Sequence, residues 1–258
     1  MSSENLSPTE IVDEVTINKE GVLTGVSGEF IKNVQSYIIP NTVKKIGKNA
    51  FNRCVNLTKI TFPEGLESID EAAFYLCKSL LHAQFPNSLA SIGPAAFALC
   101  INLQTVTIGR FVTKIGDNAF MKCYSLTSFF VSLKNKTFLN DAPGCLINKR
   151  TKTLLQYPIK RKPVDKSYTI PNNITTIGSN AFRSCKTLTS VNLKDVTIIQ
   201  DYAFAYCTNL ITVNNNKNFF KIGNRAFYLC MKLEKAINIA DVKSIGDQAF
   251  YNLSLIHI

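Results

Sequence analysis

From Ile46 to Ser68 the chain reads IGKNAFNRCVNLTKITFPEGLES, and the pattern returns 23 residues later as IDEAAFYLCKSLLHAQFPNSLAS and again as IGPAAFALCINLQTVTIGRFVTK. Aligned on the opening isoleucine, units begin at Ile46, Ile69, Ile92, Ile115, Ile177, Ile199, Ile222 and Ile245, in steps of 23, 23, 23, 62, 22, 23 and 23. Each carries Ala-Phe, with the rings at Phe51, Phe74, Phe97, Phe120, Phe182, Phe204, Phe227 and Phe250. Three residues after the ring, seven of the eight units place a cysteine: Cys54, Cys77, Cys100, Cys123, Cys185, Cys207 and Cys230. Leucine follows three later, then an apolar pair at a two-residue interval such as Ile60 and Phe62. One such unit cannot bury its apolar face alone. Stacked units can, because each supplies a wall to the next.

Ala-Phe-x-x-Cys-x-x-Leu has the spacing of one face of a short helix, and Ile-x-Phe the period of a strand. Stacking sets ring on ring, and each buried Phe contributes roughly 1.5–3 kcal/mol. The eight rings and seven cysteines are therefore the expected structural core. Buried free cysteine behaves as a small hydrophobe. Equivalent side chains of stacked units point in parallel, whereas a disulfide needs facing Cβ atoms about 3.5–4.5 Å apart. There is no C-x-x-C pair, and the only histidines are His82 and His257. The expectation is no metal site and no cofactor. Cys145 stands outside the repeat slot and is left unassigned.

Read from Leu57 to Cys77, Leu-x-x-Ile-x-Phe-Pro-x-x-Leu-x-x-Ile-x-x-x-Ala-Phe-x-x-Cys resembles a leucine-rich repeat. The Ala-Phe-x-x-Cys signature and the period are similar to those of the BspA-like class, over roughly residues 21–252. The resemblance implies an α/β fold: a right-handed solenoid with a parallel sheet on its concave face and short helical turns on the other side. It also implies protein binding and adhesion at a microbial or protist cell surface.

Residues 1–20 form an acidic segment, with five acids against Lys19. A first array with its N-terminal cap spans 21–131, a basic interruption 132–167, and a second array 168–252. The interruption holds nine bases against Asp141 and Asp165, and its 144–155 part reads as a hairpin around the polar turn Asn148-Lys149-Arg150-Thr151. Gly21-Val22-Leu23 before the first array matches Gly144-Cys145-Leu146 before the second, each leading to Tyr-x-Ile-Pro. The second array either continues the first or meets it at a bend. The tail 253–258, LSLIHI, looks like translated sequencing-library adapter and is expected to be foreign, which removes His257 from consideration.

Apolar residues make up 46% of the chain and charged residues 18%, which excludes a disordered polymer. No window approaches the roughly 18 apolar residues of a membrane span. The opening MSSENLSPTEIVDEV has no signal-peptide pattern, so the residues point to the cytoplasm and the resemblance to a cell surface. There is no phosphate loop, nucleophile elbow or paired acid, and enzyme activity is not expected. Sequons at Asn56, Asn135 and Asn173 read as chance matches, and Lys160-Arg161-Lys162-Pro163 as a weak import patch.

What remains is surface. The strand residues between core positions must point outward: Lys59, Thr61, His82, Gln84, Thr105, Thr107, Ser128, Phe130, Ser190, Asn192, Thr212 and Asn214. Phe130 is either an exposed anchor of the kind interfaces use or is covered by the 144–155 hairpin. With Lys149, Arg150, Lys160, Arg161 and Lys162 these residues are the candidate contacts for a protein or glycan. Nucleic acid is not an expected partner, and a monomer is the expected state. Two further readings stay open: a sensor or scaffold arm of a larger protein, and an intracellular adaptor for an acidic partner.

Overall fold

The computed structural model describes residues 14–142, 144–161, 163, 165–215, 219–234, 239 and 242–253. The acidic residues 1–13, Lys162 and the tail beyond Leu253 lie outside the described residues. Successive units coil on one another, and each coil lends three runs of backbone to three stacks. The first is a ladder of two-residue strands, Lys45–Ile46, Ser68–Ile69, Ser91–Ile92 and Lys114–Ile115. They pair in parallel, so that the opening isoleucines stand side by side. The second is made of longer strands: Ser36–Ile38 with Lys59–Thr61, then His82–Gln84, Thr105–Ile108 and Ser128–Val131. The later units repeat both ladders, from Thr176–Ile177 to Ser244–Ile245 and from Ser167–Thr169 to Thr212–Asn214.

The third run is the Ala-Phe-x-x-Cys segment, and the expected helical turn is not what forms there. Among the described residues the one helix is Gly28–Asn33, capped by Ser27. In the first unit the N–H groups of Ala50, Asn52, Cys54 and Leu57 instead donate three residues back, to Gly47, Asn49, Phe51 and Cys54. Asn49 and Arg53 lie in the left-handed region at φ 58° and 64°, and the same pair of slots is left-handed in all eight units. This conformation directs alternate N–H groups along the stack. Asn49, Phe51 and Arg53 donate to the carbonyls of Glu71, Ala73 and Tyr75 at 3.1, 2.7 and 2.8 Å. A helix would close those donors on carbonyls four residues back and leave the coils unlinked on this side. Apolar spacing of three suits stacked tight turns as well as a helix, so the pattern alone did not separate them. The class is accordingly a β-solenoid of parallel-strand coils with very little helix, not α/β.

Inside, the rings form two columns. Phe51, Phe74, Phe97 and Phe120 stack at centroid distances of 4.9, 4.9 and 5.7 Å. Phe182, Phe204, Phe227 and Phe250 follow at 4.7, 5.1 and 5.5 Å. Each column is headed by a ring from outside the eight repeats. Phe30 of the short helix lies 5.8 Å from Phe51, and Tyr157 stacks 5.0 Å from Phe182. Phe250, on the last described coil, is only partly buried, whereas the other seven repeat rings are buried.

All eight cysteines are free and buried. They do more than fill space. Cys77, Cys100 and Cys123 donate their thiols to the Phe51, Phe74 and Phe97 carbonyls of the preceding coil at 3.1–3.2 Å. Cys207 and Cys230 do the same to Phe182 and Phe204. A thiol serves this slot because it is apolar enough to bury and still carries a weak donor.

The interruption forms three antiparallel strands, Phe138–Asn140, Leu146–Asn148 and Thr153–Gln156, and the last of them starts the parallel ladder of the second half. Its middle strand is a wall between two cores. Leu146 packs into the first, while its neighbours Cys145 and Ile147 pack into the second, as the two-residue period of a strand requires. Leu23 pairs with Ile46 and Leu154 with Ile177. The counterpart of Gly21-Val22-Leu23 is therefore Lys152-Thr153-Leu154, which corrects the match to Gly144-Cys145-Leu146. Gly21 and Lys152 share a positive φ, 75° and 52°. Each carbonyl accepts from two consecutive N–H groups of the next coil, Lys44 and Lys45 or Thr175 and Thr176. Lysine in the glycine slot hid the equivalence.

Candidate recognition surfaces

The longer-strand ladder carries the outward residues in two lines. Ser36 pairs with Lys59, and His82, Thr105 and Ser128 lie side by side farther along the stack. Ile38 pairs with Thr61, and Gln84, Thr107 and Phe130 lie side by side. The residue between each pair is buried: Ile60, Ala83, Val106 and Phe129. In the second half Ser190 lies beside Thr212 and Asn192 beside Asn214, with Val191 and Val213 beneath. His82 is exposed, and its Nδ1 lies 2.8 Å from the Thr105 hydroxyl. The surface is thus mostly hydroxyl and amide.

Phe130 is 52% exposed; the hairpin does not cover it. Ile38, 64% exposed in the same line of residues, was missed from sequence because its strand precedes the first repeat. The line therefore has an apolar side chain near each end. Phe111 is also exposed, with the Arg110 guanidinium 4.2 Å from its centroid.

The basic stretch is split by the fold. Lys149 and Arg150 lie at the hairpin tip, and the Lys149 ammonium donates to the Asn135 carbonyl at 2.6 Å. Lys160 lies elsewhere, with its backbone N–H on the Leu126 carbonyl, and lines a groove with Lys122 and Arg183. The sequons differ as well. Asn135 is 2% exposed. Its Nδ2 donates to the carbonyls of Gly109 and Val112, and its Oδ1 accepts from the N–H groups of Thr137 and Phe138. That amide is fully engaged in structure. Asn56 is exposed and donates to the Lys32 carbonyl.

Among the described residues no group of three or more His, Cys, Asp or Glu side chains converges as metal ligands would, and no helix is long and apolar enough to cross a membrane. Hydrogen bonding to Cys77 raises the Cys54 thiol, and burial raises Cys77, Cys100, Cys145, Cys185, Cys207 and Cys123, the last to about 12. Thiols held protonated are poor nucleophiles.

Among solved structures, the chain is similar to the pneumococcal vaccine antigen PcpA, with TM-score 0.69 and 25% identity over 85% of this chain and 60% of that one. It thus spans less than two thirds of that relative. A leucine-rich cell surface protein of Faecalibacterium prausnitzii matches at TM-score 0.63 and 21% identity, over 93% of this chain and 85% of its own. A leucine-rich repeat protein of Eubacterium ventriosum matches at TM-score 0.60 and 19% identity, over 95% and 93%. No curated protein matches. The family model for the BspA type leucine-rich repeat region matches residues 29–142 and 164–258 in six copies. Stacked Ala-Phe-x-x-Cys coils in both halves, matched over most of the length, place the chain in one family: it belongs to the BspA-type leucine-rich repeat proteins.

Proposed function

We propose that this chain is a non-enzymatic recognition module that binds a protein through the outward face of its longer-strand ladder, with Phe130 as the anchor. The observation that carries the reading is Phe130 itself. It is a large ring half in solvent, paired beside Thr107 in a row of hydroxyl and amide groups, while its neighbour Phe129 is buried. Interfaces concentrate energy in such aromatic anchors, surrounded by contacts that matter mainly for fit.

The test uses partners captured by the immobilised wild-type chain, re-measured against Phe130→Ala and Gln84→Arg. The expected result is a loss of tenfold or more in affinity for Phe130→Ala with unchanged thermal unfolding. Unchanged affinity together with a lowered melting temperature would sink the reading, because the ring would then serve the fold. Lys149 and Arg150 at the exposed hairpin tip favour a second reading, an acidic partner held by charge. Affinity would then fall steeply between low and physiological salt, since exposed charges are screened within about 8–10 Å.

A further inference from the structure

Where the two halves meet, the solenoid leaves a groove that the strand-face reading does not use. One cavity of about 670 Å³ is lined by Lys122, Lys160, Arg183 and Lys186 together with Tyr124 and Tyr206. A second, of about 470 Å³, adds Lys166 and Lys232, and the two share Lys186 and Thr187. Six cations therefore line two adjoining cavities that together form a trough, and among the described residues no carboxylate lines either. The contrast with the shorter-strand face is direct. The cavity there places Lys48 and Lys114 among Asp70 and Glu71, and Lys48 is paired with Glu71 at 3.0 Å. Uncompensated positive charge in a concave surface focuses potential and concentrates anions.

The neutral groups narrow the class of anion. The backbone along the trough is consumed by the stack: Thr189 N–H donates to Lys166, Ile211 to Thr189 and Glu234 to Ile211. The N–H groups of Thr189, Ile211 and Glu234 are thus not open to an extended peptide adding to the sheet. The trough offers side chains only. Thr187, Thr189 and Asn209 line it beside the ammonium groups. The two hydroxyls donate to the Ile159 and Lys166 carbonyls, and Asn209 donates to the Lys186 carbonyl and accepts from the Lys232 ammonium at 3.1 Å. The Arg183 guanidinium lies 5.1 Å from the centroid of Tyr206. Tyrosines present an apolar ring and a polar tip. Flat rings, hydrogen-bonding side chains and spaced cations are together the complement of sugar rings bearing hydroxyl and acidic groups.

We propose that this trough binds an acidic polysaccharide, with Lys160, Arg183 and Lys186 holding its carboxylate or sulfate groups and Tyr124 lying against a sugar ring. The site is independent of Phe130. Its sequence trace was weak, because Lys122, Arg183, Lys186 and Lys232 are dispersed among the repeats and meet Lys160 only in the coil.

The experiment measures binding of heparin, polygalacturonate, neutral dextran and poly-glutamate to the full chain, at low and physiological salt. The wild type is compared with Lys160→Glu/Lys186→Glu, with Lys149→Glu/Arg150→Glu as a control of equal charge change outside the trough, and with Tyr124→Ala. The expected result is binding to heparin or polygalacturonate, telling sulfate from carboxylate, and none to dextran. The trough variant should lose tenfold or more, the hairpin variant less than threefold. Tyr124→Ala should weaken glycan binding several-fold, and Phe130→Ala should leave it unchanged. Absence of binding to both acidic glycans overturns the proposal. So does equal loss in the two charge-reversed variants, or poly-glutamate bound as tightly as either glycan. Protection of the buried thiols from a maleimide reagent verifies that each variant is folded.

Discussion

Ala95 has φ 50°, a region where a Cβ costs roughly 1–2 kcal/mol in an L-residue. The chain accepts this at two slots in every unit because the left-handed turn sends N–H groups to the next coil: Ala95 donates to Asp117 at 2.9 Å and Leu99 to Met121 at 2.8 Å. Ala95→Gly removes the strain but adds freedom to the unfolded chain, so stability should stay within about 1 kcal/mol of wild type. Ala95→Val puts a branched Cβ where it is least tolerated and should cost about 2 kcal/mol or more. Urea unfolding of the pair decides, and equal effects would mean that the turn geometry is not under this constraint. The cysteine slot follows similar logic. The Phe74 carbonyl accepts both from Cys77 N–H and from the Cys100 thiol. Cys100→Ala therefore leaves it one partner, and the cost should be that of lost packing volume more than of an orphaned carbonyl.

At the level of elements, the ring columns and the interruption behave differently. Phe97 is packed between Phe74 and Phe120, so Phe97→Ala should cost roughly 3–5 kcal/mol in equilibrium unfolding. Asn135 holds the start of the interruption through four buried hydrogen bonds. Asn135→Ala strips two carbonyls and two N–H groups at once, and a loss of about 3 kcal/mol or more is expected. The exposed Asn56→Ala should cost under about 1 kcal/mol; comparable losses at the two sites would contradict the burial argument. Both residues sit in the same three-letter motif, and only the fold separates them. Stack, ring column and outward row were legible because strict recurrence fixes which side chains share a face. The turn conformation was not, since spacing of three is common to helix and tight turn. Nor was the role of Tyr157, a phenylalanine substitute within an interruption whose own strands obey no repeat.

Across the whole molecule the buried thiols add to a single property. In seven of them the folded state raises the thiol, by hydrogen bonding to Cys77 in Cys54 and chiefly by burial in the other six. An unfolded thiol titrates near 8.5. Below that pH both states keep their protons and stability is at its full value. Above it the unfolded chain releases protons that the folded chain retains, so each thiol withdraws about 1.4 kcal/mol per pH unit. The contributions have the same sign in all seven, so stability falls as pH rises past the unfolded value. The chain should therefore keep its full stability below about pH 8.5 and lose it progressively above, with thiolate absorbance rising in the same transition as the loss of β signal. Cys100→Val/Cys123→Val should shift that transition to higher pH by removing two of the contributors. Thiolates appearing near pH 8.5 while the β signal persists would mean that the column is open to water, and the solenoid would then owe its cohesion to the rings and backbone ladders alone.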